Sequence, residues 1–169
     1  QFLDRVHVKQ AEFDTYFNIL SELGGAILDS PSESLNEPTL NLFFKKYSDS
    51  FNFSLADREK VIGDLVNSSI LTHSDTGLRF RYRYPFYFFA AKKLADSLQQ
   101  GKQEAKEKIH KLVDTLHLEK SSNIILFLTH HSKDASILDE ILYSVMDLFS
   151  NQEEVTLKAG SLSFLQDFV

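Results

Sequence analysis

Three arginines alternate with aromatic rings along residues 79–84, which read Arg79-Phe80-Arg81-Tyr82-Arg83-Tyr84. Successive side chains of an extended chain point to opposite faces. The spacing therefore predicts Arg79, Arg81 and Arg83 on one side and Phe80, Tyr82 and Tyr84 on the other. A guanidinium row with interleaved aromatics can track a nucleic-acid backbone or hold the phosphate of a nucleotide. The plainer alternative is a solvated strand face whose arginines meet some of the chain's 24 acids. Pro85 ends the strand logic, because it lacks the donor a central ladder needs, and it suits the first turn of a helix. Phe86 to Gln99 then shows helical apolar spacing. Leu78–Ala91 thus reads as a strand running through proline into an aromatic-rich helix, with the other segments packed around it.

The second cluster with chemical potential is His130-His131, with Asp134 close by and His110 and His117 elsewhere. Adjacent histidines on a helix point about 100° apart and seldom share one ion, although His130 and Asp134 have a usable spacing. The pair falls between two predicted helices, where a histidine also suits a helix C-terminus, so a structural role and no metal are expected. Asp139-Glu140 and Glu153-Glu154 are neighbours in sequence, not stacked at i, i+4, and read as solvated faces. The chain has no cysteine, which excludes thiolate catalysis, disulfides and cysteine-ligated metals. Walker A, G-x-G-x-x-G, H-E-x-x-H and G-x-S-x-G patterns are all missing. No catalytic residue is assigned, and a complete enzyme is not expected.

Bulk properties narrow the field further. At 169 residues the chain can bury a sizeable core as one domain or two small ones. Its 43% hydrophobic and 25% charged content is ordinary for a globular protein. A net charge of −6 counts against whole-surface binding to nucleic acid or anionic membrane. No apolar run approaches the 18 or more residues of a membrane-spanning helix, and the amino terminus has no secretory pattern; a cytoplasmic location is expected. The chain opens on Gln1 rather than Met, which suggests a piece of a longer protein.

The elements that must position these residues follow from periodicity and punctuation. Phe13, Phe17, Leu20 and Ile27, with Tyr16 and Leu23 beside them, predict a first amphipathic helix over 10–28. Gly24-Gly25 weaken its last part, and close packing of another element there explains them. A polar loop, 29–37, leads to Asn36 as N-cap and a second helix carrying Leu40, Phe43, Phe44 and Tyr47. Ser54-Leu55-Ala56-Asp57 has the outline of a capping box for a third helix to about Asn67, burying Leu55, Val61, Ile62, Leu65 and Val66. Two short extended segments, 70–73 and 78–84, flank a Ser74-Asp75-Thr76-Gly77 turn. Beyond a fourth helix ending at Gln99-Gln100-Gly101, helices are predicted over 102–117, over a short buried stretch at 124–128, and over 133–149. The last has Ser132 as cap and a stripe of Ile137, Leu138, Ile141, Leu142, Val145, Leu148 and Phe149. The tail, 155–169, ends in an amphipathic stretch with Leu162, Leu165 and Phe168.

The predicted fold is therefore mostly α: a winged helix (three helices plus a β-hairpin) over 1–100, then a helical-hairpin bundle or arm over 101–169.

Within that frame, Phe80-Arg81-Tyr82-Arg83-Tyr84-Pro85-Phe86-Tyr87-Phe88-Phe89-Ala90-Ala91 resembles the winged-helix segment of STAND-class signal-transduction NTPases, the NACHT and apoptotic-ATPase-like proteins. Their pattern runs Phe-x-His-x-x-(aromatic)-x-Glu-(Tyr/Phe)-Phe-x-Ala, which Phe80, Phe88, Phe89 and Ala91 match in place. Tyr82 stands where the family's sensor histidine touches the β-phosphate of ADP, Pro85 takes the aromatic position, and Tyr87 replaces the glutamate. A phenol can donate a hydrogen bond to phosphate but cannot carry an imidazolium charge, so Arg81 or Arg83 is the expected compensation. The resemblance implies a non-catalytic regulatory segment that reports ATP or ADP bound on an upstream domain. It also implies partners in that nucleotide-binding domain and in a downstream sensor domain, a possible homo-oligomer, and a defence or signalling role in bacteria. The fragment itself would need no cofactor.

The runner-up is a DNA-binding winged-helix regulator with a helical dimerisation tail, in which Arg79, Arg81 and Arg83 grip the duplex. Asp57, Glu59 and Asp64 on the third helix, against Arg58 and Lys60, have the wrong sign for that role.

Overall fold

The computed structural model describes residues 12–132 and, after them, 138–139, 141–143 and 145–146. Helix α1, Phe13–Leu28, buries Tyr16, Ile19, Leu20, Leu23, Gly24 and Ile27 along one face. Phe17, expected on that face, sits at its edge and is 37% exposed, with its ring set edge-on to Phe88 and Phe89 at 6.0 and 5.1 Å. A Cβ added at Gly24 would stand 2.7 Å from the Ala90 nitrogen. The expected close packing is, at Gly24, an approach of one helix backbone to another, and at Gly25 the stem of Lys93 lies against the helix.

Helix α2, Glu37–Ser50, starts where the cap residue directs. Asn36 Oδ1 accepts the Thr39 N–H at 3.0 Å, and Pro38 occupies the first turn. Ser54 caps only a 3₁₀ turn, Leu55–Asp57, through the Ala56 N–H. Helix α3 follows as Arg58–Asn67, and the Asp57 side chain caps nothing, so the capping box is not formed. Leu55 lies in the 3₁₀ turn and is 50% exposed, contrary to expectation. Val61, Ile62 and Leu65 are buried as expected, and Val66 is half-buried. The C-terminus of α3 is a Schellman motif: the Ile70 N–H reaches the Leu65 carbonyl, the Ser69 N–H reaches that of Val66, and Ser69 takes the left-handed φ of +62°.

Strands β1, Leu71–Ser74, and β2, Gly77–Phe80, form an antiparallel hairpin in the register Leu71↔Phe80 to Ser74↔Gly77. The second strand is thus shorter than the 78–84 predicted. Its partner runs out at Leu71, and after one further bond, from the Arg81 N–H to the Ile70 carbonyl, the chain turns away. Leu35, the one apolar residue of the loop between α1 and α2, exchanges two 2.9 Å backbone bonds with Leu78 and so adds an isolated bridge outside β2. Gly77 permits this approach. Its φ is +128°, and a Cβ would overlap the Leu35 carbonyl.

Helix α4, Arg83–Gln99, buries Phe86, Tyr87, Phe89, Ala90, Ala91, Leu94 and Ala95. Seven buried positions in seventeen residues cover more than one face, because α4 packs against α1 on one side and α6 on another. The helix closes at Gly101 (φ +69°), whose N–H bonds the Leu98 carbonyl while that of Lys102 bonds Ser97. Helix α5, Gln103–Asp114, buries Ala105, Ile109, Leu112 and Val113. Helix α6, Glu119–His131, buries Ser121, Ile124, Ile125 and Leu128. The helical choice for 124–128 is right, though the helix is longer than the apolar run because Ser121 and Ser122 lie within it. The core runs unbroken from Tyr16 in α1 to Leu128 in α6, and Ile141 joins it.

Residues 138–139, 141–143 and 145–146 are helical. Ile141 is buried and Val145 half-buried, whereas Leu138 and Leu142 of the expected stripe are exposed. Ile137, Leu148, Phe149, Asp134 and the tail 155–169 lie outside the described residues.

Candidate functional site at the hairpin–helix junction

The alternating sequence 79–84 does not stay extended. Arg79 projects from β2 opposite Thr72 and is exposed. Arg81 lies in the bend after the strand, and Arg83 is the first residue of α4. One arginine is therefore on a strand, one in a bend and one on a helix, and the predicted single row is divided. The aromatic row divides as well. Phe80 is buried and packs on Phe86 and Phe89, both at 5.9 Å between ring centroids. Tyr82 and Tyr84 are 54% and 62% exposed.

What the junction brings together is a compact group around the N-terminus of α4. Tyr82 is the N-cap residue, with no side-chain cap, and no acid stands in the first turn. Helix N–H groups therefore face outward without a side-chain partner, and Pro85 supplies none. The Arg81 guanidinium lies 5.8 Å from the centroid of the Tyr82 ring. Arg83 is held by Glu119 of α6 at 2.9 Å. Sequence reasoning missed this pair, which is 36 residues apart and has no local signal. Two guanidiniums, one phenol and a helix N-terminus can together receive an anion.

The resemblance residues play a different part. Phe88 is half-buried between α1 and α6, meeting Phe17 at 6.0 Å, Phe127 at 5.9 Å and His131 at 4.5 Å. Phe80, Phe89 and Ala91 are core. Tyr87 is buried, and desolvation pushes its phenol above the ordinary range, with Glu119 adding to the effect. Beside Tyr82 and Tyr84 lies a shallow apolar groove of about 660 Å³, floored by Phe13, Phe17, Phe88 and Phe127.

The histidine pair separates. His130 is exposed, whereas His131 is half-buried against Phe88 with Nε2 buried and unpartnered. Burial lowers its pKa, the Lys92 charge adds to this, and a hydrogen bond to the Phe88 carbonyl opposes both. On α3, Arg58 is tied to Glu37 at 2.6 Å and Glu59 at 3.2 Å. Arg58 also holds the Glu37 carboxyl below its usual range. Asp64 turns toward α1 and accepts the Tyr16 hydroxyl at 2.6 Å.

Residues 33–90 match the model of the family described as Novel STAND NTPase 4, a span of about a third of the chain. No curated protein and no solved structure matches. The matched span starts just before the Leu35 bridge, takes in α2, α3 and the hairpin, and ends within α4 at Ala90. Over the stretch that holds the junction, the chain is similar to a STAND-class NTPase family.

Proposed function

We propose that this chain is a non-catalytic reporting segment of a switch-type NTPase, with residues 1–100 acting as a winged helix and 101–169 as the helical arm behind it. The element order supports the winged-helix reading. A bridge strand at Leu35 falls between the first two helices and pairs with the hairpin that follows the third. In this reading Tyr82, Arg81 and Arg83 face ATP or ADP bound on a preceding nucleotide-binding domain, and the arm leads to a sensor domain. Bacterial defence or signalling in the cytoplasm is the setting proposed for the whole protein, which can assemble with copies of itself.

One observation carries the proposal. The helix that begins at the exposed junction packs on α1 with one face and on α6 with another, and Arg83 of its first turn is bonded to Glu119 at the start of α6. A ligand drawing on Arg83 competes with Glu119, so nucleotide state at the junction reaches the arm through a rigid helix and a movable ion pair.

The test is ADP affinity of the protein carrying its nucleotide-binding domain. Arg81→Ala and Arg83→Ala are expected to weaken ADP about tenfold or more each, consistent with loss of a charge-assisted contact. Tyr82→Phe should have a smaller effect, and Arg79→Ala none. Unchanged affinity in both arginine variants would remove the reading.

A further inference from the structure

A cleft of about 310 Å³ opens between α1, α2, the second half of α4 and the start of α5. That is the lower end of the range for small-molecule sites. It begins some ten residues along α4 from Arg83, roughly 15 Å at the helical rise, so it is separate from the hairpin junction. Lys46 of α2, Lys93 of α4, and Lys102 and Lys108 at α5 all line it, against Glu22, Asp29 and Glu104. Lys93 is neutralised by Glu22 and Lys108 by Asp29. Gly25 makes the first pair possible, since a Cβ there would stand 2.7 Å from the Lys93 Cγ. Lys46 and Lys102 are exposed and have no partner among the described residues.

The α2 wall, which also carries Lys46, is aromatic. Phe43 and Tyr47 stack at 6.1 Å, Tyr47 and Phe51 at 4.6 Å, and Phe51 remains 38% exposed. The Tyr47 hydroxyl donates to Asn18 at 2.7 Å, so this wall is braced from behind. Lys102 is also a poor choice for its position. It is the N-cap of α5 and caps nothing, where short polar acceptors are preferred and a cation opposes the helix dipole. A residue that breaks its local rule at the mouth of a cleft points to use.

We infer that this cleft binds a small organic anion bearing a flat ring. The ring lies along Phe51 and Phe43, and the phosphate or carboxylate sits between Lys46 and Lys102, whose charges no acid of the described residues takes up. Glu104 rejects ligands that place negative charge further along α5.

The test uses amide chemical shifts of the 169-residue chain titrated with AMP, adenosine, inorganic phosphate and indole-3-acetate. AMP or indole-3-acetate is expected to shift the amides of 46–51 and 101–105, which of the two is tighter telling phosphate from carboxylate. Lys46→Ala and Lys102→Ser should each weaken that ligand about tenfold, while thermal melts show Lys102→Ser at least as stable as the parent because serine caps α5. No shift with AMP and none with indole-3-acetate, equal affinity in the lysine variants, or adenosine or inorganic phosphate binding as tightly as the tighter of AMP and indole-3-acetate would each overturn the inference. Arg81→Ala and Arg83→Ala leave this binding unchanged, which keeps its outcome distinct from that of the reporting role.

Discussion

Gly24 of α1 lies directly against the backbone of Ala90 in α4, where a methyl group would approach the Ala90 nitrogen to 2.7 Å and the Phe89 carbonyl carbon to 2.8 Å. No side chain separates the two helices at that point. The approach is part of the packing of α1 on α4, which holds the aromatic start of α4 in place.

Gly24→Ala should therefore destabilise the protein by about 1–3 kcal/mol, the usual range for overpacking. This outweighs the gain of about 1 kcal/mol in helix propensity. Gly25→Ala meets only the Lys93 stem, which can change rotamer, so its net effect should be within about 1 kcal/mol. Chemical denaturation of the two variants checks the contrast; equal destabilisation would mean that α1 and α4 do not touch at Gly24.

Two helix ends use the same left-handed C-terminal turn with different residues. Gly101 closes α4 at φ +69°, and Ser69 closes α3 at φ +62°. A side chain in that region costs roughly 1–2 kcal/mol, so Ser69→Gly is expected to stabilise by up to about 1 kcal/mol after the loss in unfolded-state entropy. Gly101→Ala should destabilise by a similar amount, since open space around it leaves backbone strain as the only penalty. Midpoints of urea unfolding should move in opposite directions.

The half-buried ring of His131 makes stability depend on pH. Its pKa is lowered from 6.5 in the folded protein, chiefly by burial and next by Lys92. Above that value both states are neutral and the residue has no effect. As pH falls below about 6.5 the unfolded chain takes up a proton that the folded one resists, so stability drops. Melting temperatures measured between about pH 8 and pH 5 should fall more steeply for the parent than for His131→Phe. Parallel curves would place the ring in water.

Much of the secondary structure was legible because it rests on short-range chemistry. Asn36 and Pro38 mark the start of α2, and Gly101 the end of α4. Gly77 marks the hairpin turn, and the Ile109, Leu112 and Val113 spacing marks α5. The failures share a cause. Leu55 was assigned to the core by a capping pattern whose last member, Asp57, caps nothing. Tyr82, Arg83 and Tyr84 were kept in a strand by perfect alternation, yet the strand opposite ends at Leu71. Strand length is a property of two segments, and alternation reports only one.

The order of helices and hairpin, the proline-led entry into α4 and the glycines that demand close approach or positive φ were determined by the sequence itself. These depend on backbone sterics and on apolar spacing within a few residues. Only the tertiary structure decided that Arg79, Arg81 and Arg83 part company and that Arg83 meets Glu119. It alone decided that Leu35 pairs with Leu78, and that lysines from three helices share a cleft with a Phe43–Phe51 wall. The last three join residues distant in sequence, brought together by the packing of separate elements on one another, and the first follows from where the strand opposite ends, none of which a local pattern encodes.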